Sequence, residues 1–292
     1  MTWVPPDPRS RIPDPRSPIP SLKIPVIIDP VTTEQLQRAA DALWIHWQQG
    51  TSIPALPEDM RPSTRAQGYA IQATLEARTA SPIFGWKIAA TSKAGQAHIA
   101  VDGPLAGRLL RERVGASGDQ MPYGRHPQMQ CAEAEFAFRM GTALPPRATP
   151  YTVDEVLDAV STLHPAIELP DSRYNDVTKV GAAQLIADNA CADYFVLGDA
   201  APPSWRGLDL VQHRVLGTVV GTVEREGIGA NVLGDPRVAL AWLANELSSI
   251  GVTLGAGQVV TTGTCLVPLP VTAGDEVRMD FGVLGTADVR LR

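Results

Sequence analysis

The sequence predicts an α+β fold: a β-rich body preceded by a helical section. Three observations carry this. Beyond about residue 80 the chain turns into short apolar runs separated by Gly and Pro, the texture of strands and turns. Two helical patterns interrupt those runs, in no βαβ rhythm, so a regular parallel sheet is not expected. Between residues 31 and 80, by contrast, apolar residues recur at helical spacing.

The first thirty residues stand apart. They hold nine of the 26 prolines, and "PDPRS" occurs twice, at 6–10 and 13–17. Proline at that density opposes helix and strand and favours extended, solvated chain, so residues 1–30 read as an extended or disordered arm outside the core. Order begins near Val31. Thr32 with Gln35 forms a capping-box pattern; Leu36, Ala39, Ala40, Leu43, Trp44 and Trp47 follow at helical spacing, and Gly50 marks the stop. A Pro-rich link, "IPALPEDMRP", leads to a second helix over about 64–79. Strands are expected at about 85–90, 131–139, 165–169, 193–197, 210–224, 258–262, 276–282 and 286–291. One intervening helix starts at Thr152, with Glu155 completing a second capping box and Val156, Ala159, Val160 and Leu163 on its apolar face. The other starts at Asp235 with Pro236 in the first helical position and ends before Gly251. The expected organisation is an arm (1–30), a helical section (31–80) and a β-rich catalytic part (81–292).

Composition narrows the function classes. The 292 residues are 44% hydrophobic and 19% charged, enough for a core without staples. A net charge of −6 with no local Lys/Arg cluster argues against nucleic-acid or anionic-membrane partners. Cys131, Cys191 and Cys265 are odd in number, widely spaced and without a CxxC, which points to a reducing cytoplasm rather than a disulfide framework. No apolar run approaches the roughly 20 residues of a transmembrane helix, and the N-terminus lacks the apolar centre of a signal peptide.

The chemistry concentrates in "CAEAEFAF", residues 131–138. In a strand, Glu133 and Glu135 share one face, with Ala134, Phe136 and Phe138 on the other. Two carboxylates side by side in an apolar run repel each other and resist desolvation. Either that face is wet, or a cation sits there, and carboxylates suit Mg²⁺, Mn²⁺ or Ca²⁺. A third carboxylate, Glu168, follows the apolar "AI" of "HPAIELPDSRYND" at the end of another expected strand, where sites are commonly built.

Six blocks then occur in order: "GWKIAATSKAGQ" (85–96), "AEAEFAF" (132–138), "IELPDSR" (167–173), "ADNAC" (187–191), "VLGDPRVALAWLANEL" (232–247) and "VVTTGT" (259–264). Together they resemble the fumarylacetoacetate hydrolase superfamily, in its 2-keto-4-pentenoate hydratase and 2-oxo acid decarboxylase branch. The resemblance runs from about residue 55 to the C-terminus. It implies a mixed β-sandwich or roll around the site, a helical N-terminal part and a homo-oligomer. It implies Mg²⁺ or Mn²⁺ on Glu133, Glu135 and Glu168, and an active-site lysine at Lys87. Ala89 stands where the family's "KIG" block has glycine, which narrows the site beside Lys87.

Other polar groups have two readings each. Thr91 and Ser92 are a helix cap or donors for a substrate carboxylate; Asp188 and Asn189 are a turn or a pocket wall. Ser172, in the polar stretch after Glu168, is a candidate substrate contact. Arg173 binds a carboxylate through its fork or braces Asp171 or Asp176. Thr264, after Gly263, is a substrate contact by family likeness, and Cys265 beside it reads as a buried small residue. The five histidines show no metal spacing, and His126 in "YGRHPQMQ" reads as loop. No G-x-S-x-G, P-loop or G-x-G-x-x-G occurs.

The resemblance implies a small 2-oxo or 2-hydroxydienoate substrate, from catabolism of aromatic or related compounds. A hydratase would protonate a 2-hydroxy-2,4-dienoate at C5 and add water at C4. Lys87 would carry the proton, with a pKa lowered by the nearby cation and by burial against Trp86, or hold the C1 carboxylate. Decarboxylation of a 2-oxo-3-enedioate, C–C hydrolysis of an acylpyruvate and a catalytically silent partner subunit remain as alternatives.

Overall fold

Helix α1 (Thr33–Gln49) begins where its capping chemistry does. Gln35 N–H donates to the Thr32 hydroxyl at 3.2 Å, the Gln35 carbonyl oxygen takes Thr32 N–H at 2.8 Å, and left-handed Gly50 closes the helix. Helix α2 (Arg65–Ala73) repeats the box with Thr64 and Gln67 and tightens into a 3₁₀ turn at Thr74–Ala77, so the expected helix over 64–79 is shorter. The α1 face Ala39, Ala40, Leu43 and Trp47 is buried, with the Trp47 indole N–H donating to Asp193 at 2.6 Å. The computed structural model describes residues 32–123 and 128–292; the Pro-rich segment 1–30 and His126 lie outside the described residues.

The remaining elements follow in chain order: β1 (Gly85–Ala89), α3 (Lys93–His98), β2 (Leu105–Leu109), β3 (Val114–Ala116), β4 (Gln120–Met121), β5 (Cys131–Met140), α4 (Val153–Asp158) and β6 (Val160–Leu169). Then come α5 (Gly181–Ala187), β7 (Tyr194–Leu197), β8 (Arg214–Val219), β9 (Val223–Ile228), α6 (Pro236–Ser249), β10 (Val259–Thr264), β11 (Leu269–Pro270), β12 (Glu276–Asp280) and β13 (Thr286–Leu291). They build two sheets. One runs β2-β1-β10-β5-β6-β7-β3, with β11 against β5; the other runs β4-β13-β12-β8-β9. Most pairs are antiparallel, but β1 with β10, β3 with β7 and β4 with β13 are parallel. Strand β6 packs on β12 and β13. The inner face of β5 (Ala134, Phe136 and Phe138, all 0% exposed) enters this interior, where the Phe136 ring meets Phe281 edge-on at 5.1 Å. The α+β class and the mixed sandwich therefore hold.

Two expectations are corrected. The helix from Thr152 ends at Asp158, because Val160 already starts β6; β-branched Val160 and Thr162 suit a strand, and pairing with β5 takes the segment over. The single strand over 210–224 is instead the hairpin β8–β9, turning at Gly221 with φ 80°. Strand β2 and helices α3 and α5 had no clear sequence pattern.

Candidate active site

Strand register decides which carboxylates meet. β5 and β6 run antiparallel with Glu133 opposite Glu168 and Glu135 opposite Ala166. Strand alternation then puts all three glutamates on the face away from Phe136, and one oxygen from each lies within 4.8 Å of the others. Glu135 and Glu168 are buried, while Glu133 is half-buried and opens onto a cavity.

A bulge in β10 completes the setting. Between Thr261 and Thr264 that strand advances three residues while β5 advances two, from Ala137 to Glu135. The extra residue lets Gly263 N–H donate to Glu135 Oε2 at 2.7 Å, beside the Thr261 hydroxyl, which donates to the same oxygen. Only glycine fits: φ is 95°, and a Cβ would come within 2.1 Å of Thr91 Oγ1. Glu135 Oε1 and Glu168 Oε2 are buried and make no hydrogen bond among the described residues, while Glu168 Oε1 faces the Lys87 ammonium. Such orphaned acceptors are costly in a dry site, and they are the ligands a hard divalent cation takes. The trio thus fits Mg²⁺ or Mn²⁺.

The electrostatics agree. Burial, then Glu168, push the Glu133 carboxyl up to about 7, with Lys87 opposing. Burial, Glu168 and Glu133 hold Glu135 well above the usual carboxylate range. Three ionised carboxylates at this spacing need positive charge among them.

Lys87 reaches the same cluster from β1, its Nζ 2.8 Å from Glu168 Oε1 and donating to the Ala190 carbonyl at 2.9 Å. With no cation beside it, its pKa is raised. Burial pushes it down, but Glu168 and Glu133 outweigh burial and raise it above the ordinary value. Contrary to the sequence expectation, Trp86 does not desolvate it: that ring lies on the other face of β1, under Arg108, whose guanidinium carbon sits 4.7 Å from the ring centroid.

Beyond Lys87 and Glu133 opens a cavity of about 740 Å³. Thr91, Ser92, Thr264 and Ala89 line it. Ser92 also caps α3, accepting Gly95 N–H at 3.0 Å, and the Thr264 hydroxyl donates to Leu266 O at 2.8 Å. Ser172, Arg173, Asp188 and Asn189 are not in the lining. All four of these candidate contacts are buried behind the wall, their polar atoms taken up by one another and by backbone. Arg173 is a brace, but on Asp188 rather than on the carboxylate of Asp171 or Asp176. Cys265 is fully buried, as expected. The sequence reading passed over Thr261 and the Ala190 carbonyl and did not connect Gly263 with Glu135; "VVTTGT" and "ADNAC" were the signals for them.

The cation-ready carboxylate trio within a mixed-sheet body defines the class: residues 109–292 match the family described as Fumarylacetoacetate (FAA) hydrolase C-terminal, and the chain belongs to that family. Among its relatives, the 2-oxo-hept-4-ene-1,7-dioate hydratase of Escherichia coli is 32% identical over 253 residues, covering 83% of this chain and 92% of that protein. The 2-keto-4-pentenoate hydratase of Paraburkholderia xenovorans is 32% identical over 259 residues, covering 88% and 94%. Among solved structures, 4-oxalocrotonate decarboxylase from Pseudomonas putida G7, complexed with magnesium and adipate, superposes with a TM-score of 0.79 at 27% identity, covering 89% of this chain and 98% of that one.

Proposed function

We propose that the chain is a divalent-cation-dependent hydratase that converts a 2-hydroxy-2,4-dienoate to a 4-hydroxy-2-oxo acid. The observation that carries this reading is the set of unbonded oxygens on Glu135 and Glu168, converging with Glu133 at the mouth of a cavity that also receives Lys87. The hydratase relatives, similar over most of both chains, support it.

Glu133, Glu135 and Glu168 would hold Mg²⁺ or Mn²⁺, which supplies Lewis-acid charge to the C1 carboxylate and C2 oxygen of the substrate. With the carboxylates so engaged, their field at Lys87 is offset, and burial's downward push on its pKa is what remains. Lys87 then serves as the proton donor to C5 while the C2 hydroxyl releases its proton to solvent, which yields the conjugated 2-oxo-3-enoate. Addition of water at C4 gives the product. Thr91, Ser92 and Thr264 present hydroxyls along the wall that orient the bound acid.

The wall favours this reading over decarboxylation of a 2-oxo-3-enedioate. Leu105, Leu185, Leu266 and Val267 make much of it apolar, and its basic side chains among the described residues are Lys87, already engaged, and His98. Among the described residues, a second terminal carboxylate finds little there to pair with. The chain contributes three unpaired thiols, and no described helix is long and apolar enough to cross a membrane; we read its compartment as the reducing cytoplasm and its working form as a homo-oligomer, as is usual in this family. The test is purified protein with Mg²⁺ and 2-hydroxypenta-2,4-dienoate, followed by loss of dienol absorbance. Stable absorbance alongside CO₂ release from 4-oxalocrotonate replaces the hydratase by the decarboxylase.

A further inference from the structure

We infer that Arg173 is a positioning residue for Lys87: it clamps a left-handed turn at Asn189–Cys191 whose Ala190 carbonyl fixes the Lys87 ammonium beside Glu168. The inference rests on the role given to Lys87 above.

The first observation is backbone strain. Asn189, Ala190 and Cys191 are three consecutive non-glycine residues with φ of 55°, 51° and 61°. In that region the Cβ of an L-residue crowds the following carbonyl; asparagine tolerates it, alanine and cysteine do so poorly. Such a run persists only where its surroundings over-determine it.

The surroundings do so from both sides. The turn closes on itself through Cys191 N–H to Asp188 O at 3.1 Å and Ala192 N–H to Asn189 O at 3.0 Å. One buried guanidinium then takes both flanks: Arg173 Nη2 donates to Asp188 O, and Nη1 donates to Ala192 O at 3.0 Å. Its Nε donates to the Asp188 carboxylate, which also accepts the Ser172 hydroxyl at 2.6 Å. On the far side the Asn189 amide is bonded twice to the backbone of β2, accepting Arg108 N–H at 2.6 Å and donating to Arg108 O at 2.8 Å. A planar fork holds its donors in fixed, spread directions that reach two carbonyls and a carboxylate at once, a geometry that the compact ammonium of a lysine does not reproduce.

The result is felt at one atom. The left-handed twist presents the Ala190 carbonyl to Lys87 Nζ at 2.9 Å. The lysine stem passes over Gly107, where a Cβ would lie 2.4 Å from Asn189 O and 3.0 Å from Lys87 Cγ, so turn, stem and β2 leave no slack. A long flexible side chain is thereby held at one position, the condition for efficient proton transfer. Arg173, Asp188 and Asn189 are absent from the cavity lining, so they act through the turn.

The test compares Arg173→Lys, Asn189→Ala and Lys87→Ala, singly and with the Lys87 change combined. In folded Arg173→Lys, kcat falls by about 10- to 100-fold, the scale of a misplacement near 1 Å. KM for 2-hydroxypenta-2,4-dienoate and the affinity for Mn²⁺, read by water-proton relaxation, move by less than about threefold. The ¹⁵Nζ resonance of Lys87, assigned by its loss in Lys87→Ala, shifts or broadens. Adding Arg173→Lys to Lys87→Ala costs no further rate, because both act through one group. Asn189→Ala reads the same turn from its other flank. Wild-type kcat with an unmoved Lys87 resonance in either folded variant overturns the proposal, and so does failure of both variants to fold, which leaves the network a purely structural part. If Lys87→Ala itself keeps full activity, the role of Lys87 falls instead, while the resonance still reports whether Arg173 holds it.

Discussion

Glu135→Gln tests the carboxylate trio most directly. The substitution keeps shape and one carbonyl oxygen, which can still accept from Thr261 and Gly263, so the β10 bulge retains its anchor. It removes one of three charges whose oxygens lie within 4.8 Å of one another. Two unit charges at that distance repel by about 3 kcal/mol at an effective dielectric constant of about 20. Partial protonation already relieves some of this in the cation-free protein, so the net gain on removing the charge is about 1–3 kcal/mol. The cation-free variant should therefore melt several degrees higher than the wild type. Mg²⁺ should reverse the order: at about 100 times Kd a bound ion adds about 2.7 kcal/mol to the wild type, and the variant should lose most of that increment. The assay is thermal unfolding in chelator and in Mg²⁺, alongside turnover of 2-hydroxypenta-2,4-dienoate, which should drop at least about 1000-fold. A variant that melts lower in chelator, or that turns over at the wild-type rate, refutes the reasoning.

Three further outcomes are expected. Glu133 has an ordinary pKa of 4.5 and is raised to about 7 in the fold; the folded state then binds the extra proton, so chelated protein loses stability as pH rises from about 4.5 through about 7, and urea midpoints with and without Mg²⁺ across that window check the sign. Gly263→Ala forces a side chain into a left-handed position against Thr91 and should lower stability by about 1–3 kcal/mol while weakening Mg²⁺ binding, as calorimetry with the metal would show. Val267, exposed at 66% and part of the cavity lining, offers a place for a new cation; Val267→Arg should raise kcat/KM for a dienedioate relative to the monocarboxylate by about tenfold, and an unchanged ratio would disprove the account of the wall's selectivity.

Much of this protein is written locally. Capping boxes at Thr32 and Thr152, Asp235–Pro236 and the alternation of 131–138 are short-range signals, and each element they mark is present, although α4 stops early. The same alternation placed Glu133 and Glu135 on one face before any fold was known. What required tertiary structure is everything that depends on register between distant strands. Glu168 sits 33 positions beyond Glu135, and only the β5–β6 pairing sets it opposite Glu133. The β10 bulge that delivers Gly263 to Glu135 and the turn that aims Ala190 at Lys87 are set by neighbours far along the chain. Lys87 shows the limit most clearly: the sequence predicted a buried amine beside a cation, but the sign of its pKa shift depends on which carboxylates come within reach and on whether a cation offsets them. Local sequence encodes backbone preference and side-chain alternation; charge–charge energies depend on separations in space, and those exist only after the sheets have closed.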